Sequence, residues 1–319
     1  MSDNPLEAVR WVWMNGKLVP FKDARVHVLS HVVHYGSGWF EGIRCYETPD
    51  GPAVFRLREH LERLAASCKI FRTELPWSLD ELTAAVLEII RANDFGSCYI
   101  RPLVYRGFGT LGVNPLKCPI DVAIAVWPWG SYLGPGADQA GVDVCVSSWR
   151  RSDPGSFPST AKATGSYLNA QLIKMEAVAN GFVEGIALDA EGHLSEGSGE
   201  NLFLVRGGKL LTPPLVASIL PGITRATILT LAGDLGIPVR EERLPRGLLY
   251  TCDEMFFTGT AAEVTPIRSV DHLPVGEGKP GPITRRLQRE YLGIARGEIA
   301  DRHGWLTQVE AQGEAAAAS

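Results

Sequence analysis

The sequence predicts an α/β protein of two domains. Its 319 residues exceed the usual length of one domain and suffice for a well-buried core. Hydrophobic residues make up 45% of the chain and charged residues 21%, which is typical of a globular protein. Helical patterns occur beside antiparallel hairpins rather than in regular βαβ units, which indicates a mixed architecture.

A glycine-rich stretch without periodicity, WGSYLGPGADQAG, separates the two halves. We therefore predict a small N-terminal α/β domain over residues 1–128, an interdomain loop over 129–141 and a larger C-terminal domain over 142–310. The alanine-rich ending, residues 311–319, is predicted to be a disordered tail.

The first half opens on a hairpin, because apolar residues flank Asn15-Gly16 in WVWMNGKLVP and this dipeptide favours a two-residue turn. A helix is predicted from Arg58 to Ile70. A second helix follows Ser78, which forms a capping-box pattern with Glu81. The runs SCYIRPLVYRG and CPIDVAIAVWPW predict strands.

The second half begins with the predicted strand VDVCVSSW, followed by a helix over residues 166–180 that Gly181 ends. Two hairpins turn at Glu191-Gly192 and Gly207-Gly208. LPGITRATILTLAGDLG predicts a helix that stops at Gly236, and EMFFTGTAAEVTPI predicts a strand that runs into a tight turn.

Charge and hydropathy indicate a small-molecule partner. The formal charge of −5 is not gathered into runs, so we predict no nucleic-acid and no membrane partner. The N-terminus lacks the apolar segment of an export signal, and no apolar run approaches the ~18 residues of a membrane span. These features predict a cytoplasmic protein.

Cysteine and histidine spacing gives no metal site. The six cysteines show no CxxC pair and are predicted to be reduced core residues. His27, His31 and His34 have a spacing that mimics a metal site, but no acidic partner completes it. Their segment, VHVLSHVVHYG, alternates enough to predict part of a strand.

Lys162 is the first candidate catalytic residue, because small residues surround it in PSTAKATGSY. A lysine most often carries a solvated surface charge. The alternative is a lysine that forms a Schiff base, since small neighbours leave room for a flat ring.

A pyridoxal phosphate site also needs an acid, a phenol and phosphate donors. Glu196 in LSEGSGEN is a candidate acid, and Tyr167 a candidate phenol. A helix start at LPGIT, with Thr224, and the turn FTGTAAE, with Thr260, offer phosphate donors. Arg63 is a candidate positive charge for the phosphate. The alternative is an ion pair with Glu59 or Glu62 on its own helix.

These motifs together resemble the branched-chain amino acid aminotransferases, which are fold type IV pyridoxal phosphate enzymes. The resemblance covers nearly the whole chain, from WVWMNGKLVP through HVVHYGSGWFEGIRCY, FRLREHLERL, YIRPLVYRG, GVNP, KATGSYLNAQL, GIALDAEGHLSEGSGENLF, LPGITRATI and FTGTAAEVTPIRSVD to GEGKPGPIT. It implies a smaller N-terminal α/β domain and a larger C-terminal pseudo-barrel domain.

The resemblance implies a role for each cofactor residue. Lys162 binds pyridoxal 5'-phosphate covalently and moves a proton, Glu196 meets the pyridine nitrogen, and Tyr167 meets the ring hydroxyl. The implied phosphate ligands are Arg63, Ile223, Thr224 and Thr260.

The resemblance also implies a substrate pocket with a mainly aromatic and aliphatic wall, formed by Tyr35, Phe40, Tyr99, Val113, Trp129 and Tyr132. Arg101 is expected to meet the side-chain carboxylate of glutamate, and the amides of Thr260 and Ala261 the substrate α-carboxylate. Tyr35 and Val113 are expected to come from the neighbouring subunit of a homodimer, which stands alone or forms a trimer of dimers. The implied reaction transfers the amino group of L-leucine, L-isoleucine or L-valine to 2-oxoglutarate.

Departures from the family pattern bear on substrate preference. Trp39 stands where a smaller residue is common, Leu111 where several members have methionine, and Ser166 where asparagine is frequent. The alternatives are a fold type IV relative that acts on D-amino acids or R-amines, an aminodeoxychorismate lyase, and a non-catalytic binding protein with the same fold.

Overall fold

The computed structural model describes residues 4–130 and 132–309. The helices, in chain order, are α1 (His31–Tyr35), α2 (Leu57–Ile70), α3 (Leu79–Asn93), α4 (Ala137–Ala140), α5 (Tyr167–Ala179), α6 (Ile223–Asp234) and α7 (Pro282–Ala295). The strands are β1 (Trp11–Met14), β2 (Lys17–Pro20), β3 (Gly38–Phe40), β4 (Ile43–Tyr46), β5 (Ala53–Phe55), β6 (Cys98–Arg106), β7 (Ile120–Trp127), β8 (Val142–Val146), β9 (Glu184–Leu188), β10 (Leu194–Gly197), β11 (Asn201–Arg206), β12 (Lys209–Thr212), β13 (Val239–Glu241), β14 (Glu254–Gly259), β15 (Glu263–Val270), β16 (Leu273–Pro274) and β17 (Leu306–Gln308). Short 3-10 helices cover Pro5–Ala8, Phe21–Asp23, Thr164–Ser166, Leu215–Ala217 and Arg246–Tyr250.

The chain folds into two compact units. Of the described residues, 4–130, 162–165 and 294–309 belong to the first unit, and 132–161 and 166–293 belong to the second. Lys162 is therefore part of the first unit, although it lies in the second half of the sequence. The domain boundaries given above stay a prediction, and the predicted tail over residues 311–319 lies outside the described residues.

The first unit is built on a sheet with the strand order β17-β5-β4-β6-β7-β1-β2, in which β3 also pairs with β6. Its helix α3 begins with the predicted capping box, since Ser78 and Glu81 each accept a hydrogen bond from the other's backbone N–H. Leu82, Val86 and Ile89 of α3 are fully buried, as their helical spacing predicts.

The second unit is built on a sheet with the order β10-β9-β8-β15-β14-β11-β12-β13. Strand β10 also pairs with β11 through Glu196 and Asn201, so six of these strands close into a ring. Its interior is apolar, with Val144, Ile186 and Leu202 fully buried. This closed sheet corresponds to the expected pseudo-barrel.

Most predicted elements are present. The hairpin turns at Asn15-Gly16 and Gly207-Gly208 connect β1 to β2 and β11 to β12. Helix α5 ends before Gly181, whose φ of 81° lies in the left-handed region that favours glycine. The described cysteines are all free and buried, as predicted.

Two local predictions need correction. The segment around His31 and His34 forms the short helix α1 rather than a strand, because Gly36 adopts the left-handed conformation and ends one helical turn there. Helix α7 was not predicted, although Pro282 at its start and apolar residues at 283, 287 and 291 have helical spacing.

Within the described residues, no helix is both long and apolar enough to span a bilayer.

Candidate active site

Lys162 is held by its backbone on both sides. Its N–H donates to Ser67 Oγ at 3.0 Å, and its carbonyl accepts from the Phe40 N–H at 3.1 Å. The Lys162 Nζ atom lies 5.0 Å from the centroid of the Phe40 ring. A fixed backbone leaves the side chain as the movable part, which is what a covalent catalyst requires.

The small residues after Lys162 allow close packing against β3. Thr164 Oγ1 donates to the Gly36 carbonyl at 2.6 Å, and Ala163 forms a bridge with Trp39. A Cβ atom on Gly36 would lie 3.2 Å from Gly165 Cα, so a larger residue at position 36 would crowd the backbone of the lysine segment. The small residues therefore fix the lysine segment.

Arg63 also lies in the first unit, on α2, and its side chain is 9% exposed. It forms an ion pair with Glu41, with 2.7 Å between Arg63 Nε and Glu41 Oε1. Arg63 therefore does not pair with Glu59 or Glu62, the helical neighbours that its sequence position offered; those carboxylates contact Arg56 and Arg58.

Aromatic rings surround Arg101 in the same unit. The carbon of its guanidinium lies 4.8 Å from the centroid of Phe40, 5.3 Å from that of Tyr99 and 5.6 Å from that of Trp127. Trp129 packs on Tyr99 with 4.7 Å between ring centroids. We call Phe40, Tyr99, Trp127 and Trp129 the aromatic cluster. The Arg101 guanidinium thus lies over the rings of the aromatic cluster.

Gly42 has no room for a side chain next to this cluster. A Cβ atom there would lie 1.8 Å from the Tyr99 hydroxyl. Glycine at this position therefore allows Tyr99 to approach the backbone, which the FEG sequence alone does not reveal.

Trp39 faces away from Lys162. It is 1% exposed, and its ring lies 5.7 Å from that of Phe71. Successive side chains of a strand point to opposite faces, so Phe40 contacts Lys162 while Trp39 fills the core on the other side.

Tyr35 and Val113 lie in the first unit with exposed side chains, at 48% and 90%. His31 connects the two segments: its ring stacks on Tyr35 at 4.4 Å, and its Nε2 lies 2.9 Å from the Gly112 carbonyl. The contacts of His31 and His34 are with protein groups, and the described residues include no His, Cys, Asp and Glu group able to hold a metal ion.

Glu196 lies in the second unit and is 3% exposed. Its Oε2 accepts from Asn201 Nδ2 at 2.9 Å and from the Leu220 N–H at 3.0 Å, and its Oε1 forms an ion pair with Arg151. A buried carboxylate with charge-assisted donors is a fixed acceptor for a further N–H group. Glu196 therefore lies buried on β10 and is not a loop carboxylate that faces water.

Helix α6 begins directly after Gly222, which has an extended conformation. The first backbone N–H groups of a helix, here those of Ile223 and Thr224, have no acceptor within the helix and favour an anion. Asn201 limits the space beside them, since a Cβ atom on Gly222 would lie 1.9 Å from Asn201 Oδ1.

The remaining predicted residues of the second unit lie in turns or at the start of a helix. Tyr167 is the half-buried first residue of α5, and Thr260 and Ala261 lie in the turn between β14 and β15. Tyr132 is 41% exposed, with Lys174 Nζ 5.8 Å from its ring centroid.

Sequence reasoning missed the partners of these side chains. Glu41 forms an ion pair with Arg63 and a hydrogen bond with His60. Trp127 belongs to the aromatic cluster, and Arg151 and Asn201 contact the Glu196 carboxylate. Trp127 was detectable, because it is an aromatic residue only two positions before Trp129, at the end of the predicted strand. The ion pairs connect residues distant in sequence and left no local signal.

Glu200 is a buried acid of the second unit, close enough to Glu196 and Glu184 for their charges to affect it. Its Oε2 accepts from the Gly199 N–H at 3.1 Å, while its Oε1 has no hydrogen-bond partner among the described residues. Burial, followed by repulsion from Glu184, raises the pKa of Glu200 to about 8. Glu200 is therefore protonated at neutral pH in the folded protein.

We expect Glu200→Gln to stabilise the protein at pH 8 but not at pH 5. An unfolded glutamate ionises near pH 4.5 and the folded one near pH 8, so the wild-type contribution to stability falls between these values and is constant above them. Glutamine does not titrate and keeps the shape of the protonated acid. The measurement is the difference in Tm between variant and wild type at both pH values.

Glu254→Gln is the matched control, because Glu254 is also a buried acid of the second unit and its carboxylate accepts from the N–H groups of Ile283 and Thr284. It should lower Tm at both pH values, since it weakens the hydrogen bonds at the start of α7. A Tm difference for Glu200→Gln that does not change with pH would contradict the assignment.

Comparison with known proteins extends the description of the site. The family model described as amino-transferase class IV matches residues 38–270. The chain is 52% identical to the Escherichia coli K12 branched-chain-amino-acid aminotransferase, over 94% of this chain and 97% of that protein.

Solved structures agree. A crystal structure of the Escherichia coli branched-chain amino acid aminotransferase matches with a TM-score of 0.93 and 52% identity, over 95% of this chain and 100% of that one. The Thermobaculum terrenum branched-chain amino acid aminotransferase in its PLP (holo) form matches with a TM-score of 0.88 and 34% identity, over 97% of this chain and 100% of that one.

Proposed function

The chain belongs to the class IV aminotransferases, and from this premise we propose that its site transfers amino groups between branched-chain amino acids and 2-oxo acids. The predicted family and the α/β fold class are confirmed. The enzyme is a branched-chain amino acid aminotransferase that uses pyridoxal 5'-phosphate. Its substrates are L-leucine, L-isoleucine or L-valine and 2-oxoglutarate, and the reaction is reversible.

The residues present fit this cofactor. Glu196 is a buried carboxylate that three donors hold in place, which suits a partner for a protonated ring nitrogen. Arg63 and the N-terminus of α6 are suited to an anionic phosphate. The chemistry that the cofactor supplies when bound is electron withdrawal from the substrate α-carbon and transient storage of the amino group.

The observation that carries the proposal is the position of Lys162. Its backbone is fixed by Ser67 and Phe40, and its amine lies beside an aromatic face. We assign Lys162 as the covalent anchor and as the group that takes the proton from the substrate α-carbon and returns it. We assign Tyr167 to the cofactor hydroxyl, and Arg63, Ile223, Thr224 and Thr260 to the phosphate.

The aromatic cluster with Arg101 supports the dual substrate range. The rings suit an aliphatic side chain, and the guanidinium suits the side-chain carboxylate of glutamate. We assign Tyr132 to the same apolar wall, and the Thr260 and Ala261 amides to the substrate α-carboxylate.

We also propose that the protein is a homodimer, in which Tyr35 and Val113 enter the substrate pocket of the other subunit. Exposed apolar side chains on two segments of the first unit support this proposal, because a large exposed apolar surface usually marks an interface. They are Val26, Val28, Leu29, Val33, Phe108, Leu111 and Leu116. Since its substrates are central metabolites, we propose a cytoplasmic location.

The test follows the amino-donor half-reaction with the purified enzyme. Absorbance of the cofactor is recorded after adding L-leucine, D-alanine or an R-amine alone. L-leucine should convert the cofactor to its amine form, and later addition of 2-oxoglutarate should reverse the change. Conversion by D-alanine or the R-amine, without conversion by L-leucine, would instead favour a relative of other specificity.

A further inference from the structure

Glu41 is a fully buried carboxylate that serves two basic side chains of α2. Its Oε1 accepts from Arg63 Nε at 2.7 Å, and its Oε2 accepts from Arg63 Nη2 at 2.8 Å. Oε2 also accepts from His60 Nδ1 at 2.8 Å and from the Gly42 N–H at 3.2 Å. The Arg63 pair is bidentate, which fixes both the position and the plane of the guanidinium.

Burial and neighbouring charges determine the protonation states of Glu41 and His60. Burial alone would raise the pKa of Glu41, but the charge of Arg63 and the hydrogen bond from His60 hold it well below its usual range. Burial lowers the pKa of His60. The hydrogen bond to Glu41 and the Glu41 charge oppose this shift, and the positive charges of Arg63 and Lys162 add to it, so the pKa stays below its usual value. Glu41 is therefore an anion that pairs with Arg63, and His60 is a neutral donor at pH 7.

The end of β3, which precedes Glu41, and the face of α2 that carries His60 and Arg63 also contact the backbone of Lys162. Phe40, which precedes Glu41, donates its N–H to the Lys162 carbonyl, and Ser67 of α2 accepts the Lys162 N–H. His60, Arg63 and Ser67 are spaced by three and four residues, so they share one face of α2. Fixing Arg63 and fixing Lys162 thus depend on one packed interface.

We propose that Glu41 is a positioning residue that orients Arg63 for the anionic phosphate end of the cofactor. This inference rests on the proposed function, in which Arg63 binds that phosphate. The two N–H groups that donate to Glu41 lie on one edge of the guanidinium, so this pair fixes the direction of the whole group. A long arginine side chain loses much conformational freedom when it binds an anion. Because Glu41 already holds the Arg63 side chain in one conformation, less conformational entropy is lost when the phosphate binds.

The test compares two ligands of the full-length protein after its cofactor has been released with hydroxylamine and removed by dialysis. Pyridoxal 5'-phosphate and pyridoxal differ only in the phosphate group, so the ratio of their dissociation constants reports on the phosphate site. For Glu41→Gln we expect pyridoxal 5'-phosphate to bind roughly 10- to 100-fold more weakly, and pyridoxal to change by less than about 3-fold.

Glu59→Gln is the matched control, since Glu59 also pairs with an arginine of the α2 region, Arg56, at 2.7 Å. It should leave both constants unchanged. If Glu41→Gln does not fold, Glu41→Asp keeps the charge but moves it by one methylene, and it should weaken the binding of the phosphate-bearing ligand selectively.

The outcomes separate the inference from its premise. The role of Glu41 would be overturned if a folded Glu41 variant had an unchanged or smaller dissociation constant for pyridoxal 5'-phosphate. It would also be overturned if the variant bound both ligands more weakly by the same factor. Failure of the wild type to bind pyridoxal 5'-phosphate would overturn the proposed function itself.

Discussion

Lys162→Ala is expected to abolish transamination, with turnover reduced by at least about 10⁴-fold. Removal of this side chain eliminates both the covalent anchor and the group that moves the proton at the substrate α-carbon, and general acid–base catalysis alone contributes about 10²–10⁴-fold. Glu196, Arg63 and the start of α6 are untouched by the substitution, so we expect part of the cofactor to remain bound without a covalent bond.

Turnover of L-leucine with 2-oxoglutarate measures the first effect, and cofactor absorbance of the protein after gel filtration measures the second. Borohydride treatment followed by mass spectrometry tests the covalent bond. The reduced wild type should carry the cofactor on the peptide that contains Lys162, and the variant should carry none. Lys69→Ala is the control, because Lys69 is an exposed lysine on α2, the helix that also carries Ser67. Lys162→Ala with more than about one hundredth of wild-type turnover would refute the assigned role.

Arg101→Ala is expected to reduce kcat/KM for glutamate by roughly 10²- to 10³-fold and that for leucine by less than about 10-fold. Without the guanidinium, the side-chain carboxylate of glutamate would face the rings of the aromatic cluster with no cation. Leucine places no charge there, so it loses only packing against the arginine.

Half-reaction rates with each amino acid as the single substrate measure this selectivity. Arg101→Lys should recover part of the glutamate activity, since it restores the charge without the planar guanidinium. Equal losses for leucine and glutamate in Arg101→Ala would show that Arg101 supports the aromatic cluster rather than recognises the carboxylate.

Elements governed by neighbouring residues were predictable. The turn at Asn15-Gly16, the capping box of Ser78 and Glu81, and the end of α5 before Gly181 each depend on a few adjacent residues. Their backbone preferences and short hydrogen bonds act whatever the rest of the chain does.

Elements governed by contacts elsewhere were less predictable. The segment around His31, in which apolar and polar residues alternate, forms the helix α1 rather than a strand. His31 contacts the Ser37 hydroxyl and the carbonyl of Gly112, which is distant in sequence. Helix α7 was missed, and the side chain of Glu254, far away in sequence, accepts from the N–H groups at its start.

The sequence by itself determined the family, the cofactor and the reaction, because the motifs that resemble the class IV aminotransferases are short runs of adjacent residues. Only the tertiary structure decided which side chains hold the candidate residues in place. Arg63 pairs with Glu41 rather than with its own helical neighbours, and Arg151 reaches Glu196. The physical reason is that these ion pairs are buried. A buried charge is stable only when the fold brings its partner into contact, and the distance between the two along the chain places no limit on that contact.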